Sequence, residues 1–225
     1  MNYTKSFLIC LLTAFLTISA LGLEWNFENK FALAGEKTKK KIALTFDDGP
    51  NREYTPRILK TLEKYNVKAT FFVLGWRVYT FSDLILQMKQ DGHEIGNHSY
   101  DHPYLNTLSA EEVRKQLTRT NTAIKKVAGI EINIYRPPYA SYNDTVLRIA
   151  TELGLKLALW TINPEDWSSP GTEIILTRII DAAEDGSIVL LHDKKQTAEQ
   201  LPALIETLKE QGFEFVVVSE LLDIN

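Results

Sequence analysis

The chain has 225 residues, of which 44% are hydrophobic and 24% charged, and its formal net charge is −4. This length supports a single core, and this balance of apolar and charged residues excludes a disordered or fibrous chain. The acidic surplus excludes the strongly basic surface on which nucleic-acid binders depend, so no nucleic-acid partner is expected.

The N-terminus has its own character. Lys5 precedes an uncharged run from Ser6 to Leu23, with the small residues Ala20 and Gly22 near its end. A basic start, an apolar stretch and then small residues make the plan of a secretory signal, residues 1–23. The run is also near the shortest length that spans a bilayer, so an uncleaved membrane anchor is the alternative. In both cases Lys5 favours an inside N-terminus and sends the body of the protein across the membrane, to the periplasm, the cell surface or the medium. Cys10 is the only cysteine and lies within this run. The exported part therefore has no disulfide and no thiolate nucleophile, and a metal site in it must use His and carboxylates. Residues 24–40 read as a linker running into the basic cluster Lys37, Lys39, Lys40 and Lys41, and residues 41–225 as the folded domain.

From Ile42 onward, strand-like and helix-like segments alternate. Ile42–Phe46 is an apolar strand stopped by the turn Asp47-Asp48-Gly49-Pro50. Ile58, Leu59, Leu62 and Tyr65 have helical spacing within Tyr54–Tyr65. Ala69–Leu74 is a buried strand ending at Gly75, and Leu84, Ile85 and Met88 mark a helix closed by Gly92. Glu94–Asn97 is a short strand. Ser109 with Glu112 makes a capping box that opens a long helix up to Gly129. Strands at Ile132–Tyr135, Leu155–Ile162, Ser187–Leu191 and Phe213–Val218 then alternate with helices at Thr145–Leu153, Glu173–Ala183 and Ala198–Gln211. Such alternation predicts a mainly parallel sheet covered by helices on both faces, as a closed or nearly closed barrel, with an open doubly wound sheet as the alternative. In both, ligands gather at the carboxyl ends of the strands.

Polar residues fall at those strand ends: Asp47 and Asp48, His98, Arg136, Asp166 with Trp167, and His192. His98 and His102 are four residues apart, a spacing that places two imidazoles on one side of a helical turn where they can share a metal. Asp48 could supply a third ligand, and two His with one carboxylate leave positions open for water and substrate. The adjacent carboxylates of Asp47 and Asp48 repel unless a cation lies beside them, and a metal together with Arg136 meets that need. His192 leaves a buried strand, which suits a general acid. His93 reads as structural.

In these residues the chain resembles the NodB-homology polysaccharide deacetylases, carbohydrate esterase family 4. The resemblance covers about Lys41 to Leu222. It rests on five motifs in order: Thr45-Phe46-Asp47-Asp48-Gly49-Pro50, His98-Ser99-Tyr100-Asp101-His102, Arg136-Pro137-Pro138-Tyr139, Asn163-Pro164-Glu165-Asp166-Trp167 and Leu190-Leu191-His192. It implies a distorted (β/α)7 barrel, with residues 41–225 as a single catalytic domain, and a divalent cation, zinc or cobalt. It further implies that Asp48, His98 and His102 bind the metal, that Asp47 is the general base paired with Arg136, and that His192 is the general acid tuned by Asp166. Trp167 and Leu190 would enclose the acetyl methyl, and the Tyr139 backbone N–H would face the oxyanion. The expected substrate is an N-acetylated polysaccharide, peptidoglycan or chitin-type, and the expected state a monomer, tethered if the N-terminal segment is retained. Asn163 departs from the family pattern, which has Asp there, and this puts the support around His192 in doubt.

Tyr139, Tyr142, Trp76 and Trp167 lie in or near strand-end loops and could stack on pyranose rings, although Trp76 equally suits core packing. Short loops predict an open groove. Two other readings share the same residues. One is an esterase of O-acetylated, xylan-type polymers or a hydrolase of small amides, since fold and motifs fix chemistry better than substrate. The other is a non-catalytic sugar- or wall-binding protein, which a missing ligand or base would favour; none is missing.

Overall fold

The computed structural model describes residues 31–32 and 40–224. The segment read as a signal or anchor lies outside them, and no described helix is long and apolar enough to cross a membrane. The first long apolar run forms β2 (Lys41–Asp47), preceded by the two-residue strand β1 (Phe31–Ala32) within the stretch read as a linker. Six parallel-paired strands follow: β3 (Thr70–Val73), β4 (Glu94–Asn97), β5 (Ile134–Tyr135), β6 (Lys156–Ala158), β7 (Ser187–His192) and β8 (Glu214–Phe215). The helices between them are α1 (Thr55–Lys64), α2 (Gly75–Thr80), α3 (Ser82–Gln90), α4 (Ala110–Ala128), α5 (Asp144–Glu152), α6 (Thr172–Ala182) and α7 (Lys195–Glu210), with a short α8 (Val218–Leu221) at the end.

The sheet runs β1-β6-β5-β4-β3-β2-β7, and β8 joins the start of β2. After β6 the chain swings back to β7: Ile162 bridges Val189, and the Leu190 N–H donates to the Ile162 carbonyl at 2.9 Å. The sheet thus curls until its ends almost meet, the incompletely closed barrel that the alternation predicted. The predicted strand Leu155–Ile162 is interrupted at Leu159, where the carbonyl turns to accept from Arg136 instead of continuing the ladder.

The two-residue period of a strand decides what reaches the barrel interior. In β2, Ile42, Leu44 and Phe46 join the main apolar cluster with α1, α3 and α7, while Ala43 packs with the inner cluster of Phe72, Ile134, Ala158 and Ile188. The inner face of β2 therefore reads Ala43, Thr45, Asp47. In β7 it reads Ile188, Leu190, His192, and the register sets Thr45 beside Leu190 and Asp47 beside His192. Gly96 of β4 leaves the room that the Phe72 ring occupies, since a Cβ there would lie 2.6 Å from it.

Two departures from the sequence reading matter. A helix, α2, begins at Gly75, where only a strand end was predicted. Gly75 is required by close approach, because a Cβ would lie 2.4 Å from Thr120 Oγ1 of α4 and 2.6 Å from the Tyr100 ring. The predicted strand Phe213–Val218 shortens to β8, because α8 begins at Val218 and its N–H donates to Thr70 Oγ1 at 2.9 Å. The Ser109–Glu112 capping box is formed as predicted, and Gly129 closes α4 in the left-handed conformation at φ 65°.

Candidate active site

Asp47 ends the inner face of β2 and is almost wholly buried. Its Oδ1 accepts from the Arg136 guanidinium at 2.8 Å. Arg136 is itself fully buried and spends its other donors on Thr45 Oγ1 at 2.7 Å and on the Ala158 and Leu159 carbonyls at 3.0 and 2.8 Å. Its plane lies over the Phe72 ring at 4.1 Å. A buried charge held this way cannot swing, so the Asp47 carboxylate has a fixed direction.

Asp48 breaks the strand with φ 69°, and its Oδ1 and Asp47 Oδ2 approach the same nitrogen, His98 Nε2, at 3.4 and 3.8 Å. His98 follows β4 directly. Its Nδ1 donates to the Arg136 carbonyl at 2.7 Å, which fixes the tautomer and leaves Nε2 as a lone pair facing Asp48. Asp48 Oδ1 lies 3.4 Å from His98 Nε2 and 3.0 Å from His102 Nε2, yet this buried oxygen makes no well-aligned hydrogen bond. One donor atom each from Asp48, His98 and His102 falls within 4.8 Å of the others. A free carboxylate oxygen and imidazole lone pairs converging on one point fit a divalent cation, which would satisfy all three.

The two histidines meet by a different backbone route from the helical turn their spacing suggested. Residues 98–102 form a tight loop in which Ser99 and His102 are left-handed, at φ 64° and 68°. Asn97 Oδ1 accepts from the Ser99 N–H at 2.7 Å and Ser99 Oγ from the His102 N–H at 3.1 Å, and these side-chain bonds replace helical ones. Other non-glycine residues with positive φ, Tyr139, Ala140 and Glu165, lie in the neighbouring strand-end loops. Such strain collects at functional sites.

His192 faces this group from β7. Its Nδ1 donates to Asp166 Oδ1 at 2.7 Å, its backbone N–H donates to Asp166 Oδ2 at 2.8 Å, and Thr197 Oγ1 adds a third bond to Asp166 at 2.6 Å. Burial works against the imidazolium, but Asp166, together with the charges of Asp47 and Asp48, raises the His192 pKa above its ordinary value. Asn163 accepts from the Glu165 N–H through Oδ1 at 3.0 Å and so shapes the turn that delivers Asp166 and Trp167. An aspartate could accept the same bond, so the departure at Asn163 leaves that turn intact.

Asp47, Asp48, His98, His102, Tyr139, Trp167, Leu190 and His192 line one cavity of about 550 Å³, with Pro137, Trp160 and Asn163 completing its wall. Arg136 and Asp166 stand behind it. Trp76 and Tyr142 are not in its lining. His93 is remote from it and packs edge-on against Phe71, accepting from the Ala69 N–H at 3.2 Å.

Trp160, in the cavity wall, and Asp193, beneath it, were not among the residues predicted for the site. Asp193, the neighbour of His192, is buried with Oδ2 bonded to the Thr55 hydroxyl. Gly49 rests on its carboxylate, where a Cβ would lie 2.6 Å from Oδ2, and its carbonyl accepts from Asn51 Nδ2 at 2.9 Å. Asp193 thus underpins the turn that carries Asp48.

The match to known proteins agrees with this geometry. The family model described as polysaccharide deacetylase matches residues 34–158. The chain belongs to the polysaccharide deacetylase family. A peptidoglycan-N-acetylglucosamine deacetylase of Listeria monocytogenes is 43% identical over 82% of this chain and 39% of its own length. A peptidoglycan-N-acetylmuramic acid deacetylase of Bacillus subtilis is 40% identical over 84% of this chain and 40% of its own length. The chain therefore spans about two fifths of the length of these relatives. Among solved structures, a family 4 pseudoenzyme from Bacillus anthracis superposes with a TM-score of 0.82 at 37% identity, covering 85% of this chain and 68% of that one. The fold is thus shared with a pseudoenzyme, and activity depends on the site residues.

Proposed function

We propose that this protein is an exported, metal-dependent hydrolase that removes acetyl groups from N-acetylated amino sugars of a polysaccharide, with peptidoglycan N-acetylglucosamine or chitin-type chains as substrate. The observation that carries the reading is one cavity on which three assemblies converge: the Asp48–His98–His102 donor set, the Asp47–Arg136 pair and the His192–Asp166 pair. The relatives' names support the polymer, and the basic start and apolar run of residues 1–23 support export. Residues 41–225 then make the catalytic domain.

Asp48, His98 and His102 would hold zinc or cobalt, which when bound polarises a carbonyl and lowers the pKa of water from about 15.7 to roughly 7. Asp47, its carboxylate aimed by the Arg136 guanidinium, takes a proton from the attacking water. The Tyr139 backbone N–H faces the oxygen on which negative charge develops. Trp167 and Leu190 enclose the methyl group. His192, kept protonated by Asp166, then gives its proton to the departing nitrogen, an otherwise poor leaving group.

The test is acetate release from purified peptidoglycan and from N-acetylchitooligosaccharides, after chelation and again after adding zinc or cobalt. Acetate restored by metal supports the reading and ranks the two polymers. No acetate from either, with metal bound and the fold intact, would refute it in favour of a wall-binding protein or of O-acetylated polymers as substrate.

A further inference from the structure

Beyond the cavity, an aromatic row leads away from the candidate metal ligands. The Tyr139 ring meets His102 edge to face, with centroids 4.6 Å apart and planes at 73°. On Tyr139 lies Tyr104, stacked at 4.1 Å with only 13° between the planes. Tyr104 is 53% exposed and Tyr139 56%. Tyr104 is absent from the five motifs and from the cavity lining.

Both rings are held in place from below. Leu105, next to Tyr104, is completely buried with Val113, Leu117 and Tyr135. The Tyr104 carbonyl accepts from the Thr107 N–H at 3.1 Å and from the Thr107 hydroxyl at 2.8 Å. The loop after His102 and the loop after β5 are laced together. The Asn106 N–H donates to Ser141 Oγ at 3.2 Å, Ser141 Oγ donates to Asn106 Oδ1 at 2.7 Å, and Asn143 Nδ2 donates to the Asn106 carbonyl at 3.2 Å. Two stacked rings so fixed in water form apolar area that is already ordered, and binding to them costs little conformational entropy. Tyrosine offers a flat apolar face and a hydroxyl at the wet end, which matches a ring with C–H faces and a hydroxylated rim.

We infer that Tyr104, stacked on Tyr139, is a subsite for a pyranose ring of the polymer, adjacent to the sugar whose acetamide enters the cavity. The inference rests on the proposed deacetylation and deepens it: the substrate is a chain, gripped on at least two sugars, and a single N-acetyl sugar leaves the platform bare. Charge plays no part in this recognition, so it should survive high salt.

The experiment compares wild type, Tyr104→Ala and Tyr104→Phe on N-acetylglucosamine oligomers of increasing length, reading kcat/KM for each. Wild type should prefer the longer oligomers. Tyr104→Ala should lose roughly two- to tenfold of that preference through KM, the range expected for one aromatic contact, and Tyr104→Phe should keep it. A preference in Tyr104→Ala equal to that of wild type would overturn the subsite. If wild type releases no acetate from any oligomer, the deacetylase reading fails separately. Calorimetric titration with the tetrasaccharide then decides: weaker binding by Tyr104→Ala keeps the platform, and equal or absent binding in both removes it.

Discussion

At the scale of single residues, the proposed reaction separates groups that act from groups that hold. Asp47 and His192 are the two that exchange protons in the proposed reaction, and positioned acid–base groups typically contribute about 10²–10⁴ in rate. Asp47→Asn and His192→Ala should therefore each lower turnover at least about a hundredfold while leaving the far-ultraviolet circular dichroism unchanged. Near-wild-type rates in both would show that the roles are misassigned. Asp193 holds. Burial pushes its carboxyl up to about 7, against the Thr55 hydroxyl and Arg77, which lower it. Its Oδ1 has no partner, so a neutral side chain is tolerated there. Asp193→Asn should thus remain close to wild type. Asp193→Ala, which leaves a void beneath Gly49 and strips Thr55 of its acceptor, should weaken zinc binding about 10- to 100-fold, as loss of an outer support does. Chelator competition would measure it, and equal zinc affinity in the two variants would remove Asp193 from the site. The polar residues that the structure gathers at the cavity were legible in the sequence because they are of few residue types and all fall at strand ends. Asp193 was not, because a supporting carboxylate is recognised only by what lies above it, here Gly49 and Asn51.

At the scale of elements, the periodicities of 2 and 3.6 residues revealed almost every strand and helix, since each buries one face or both. They could not reveal α2, whose existence depends on contact with α4 and not on its own six residues. That helix has a role at the site. Its first N–H groups, of Gly75 and Trp76, donate to the Ser99 and Tyr100 carbonyls at 3.0 and 3.2 Å, bracing the loop that joins His98 to His102. The same inter-element bonding explains why that loop is left-handed where its spacing suggested a helical turn. Gly75→Ala should force Thr120 and Tyr100 apart, since the added Cβ would also lie 3.1 Å from the Thr120 Cα. Overpacking of this kind costs about 1–3 kcal/mol. Urea denaturation should show that loss, and zinc affinity should fall with it. A variant with wild-type stability would mean that α2 and α4 are free to separate.

At the scale of the whole molecule, the candidate site lies at the carboxyl ends of the strands, and a buried histidine near their amino ends ties the stability of the barrel to pH. His93 lies just before β4, at the amino ends of the strands, where burial, helped by Lys68 and opposed by Asp91, lowers its pKa to about 4. In the unfolded chain the same imidazole takes a proton near pH 6.5. The unfolded state therefore binds more protons between these values. The stability that His93 contributes is complete above pH 6.5, is lost as the pH falls through the window toward 4, and is lost no further below it. A gap of this size corresponds to about 3 kcal/mol. His93→Asn offers an oxygen where Nδ1 accepts from the Ala69 N–H and has nothing to titrate. The difference in unfolding free energy between wild type and His93→Asn, measured in urea at pH 7 and again near pH 4, isolates this residue, because the carboxylates common to both cancel. Wild type should lose up to about 3 kcal/mol more than the variant over that interval. Equal losses would mean that His93 is protonated in the folded barrel, and that burial beside Phe71 leaves it accessible to water.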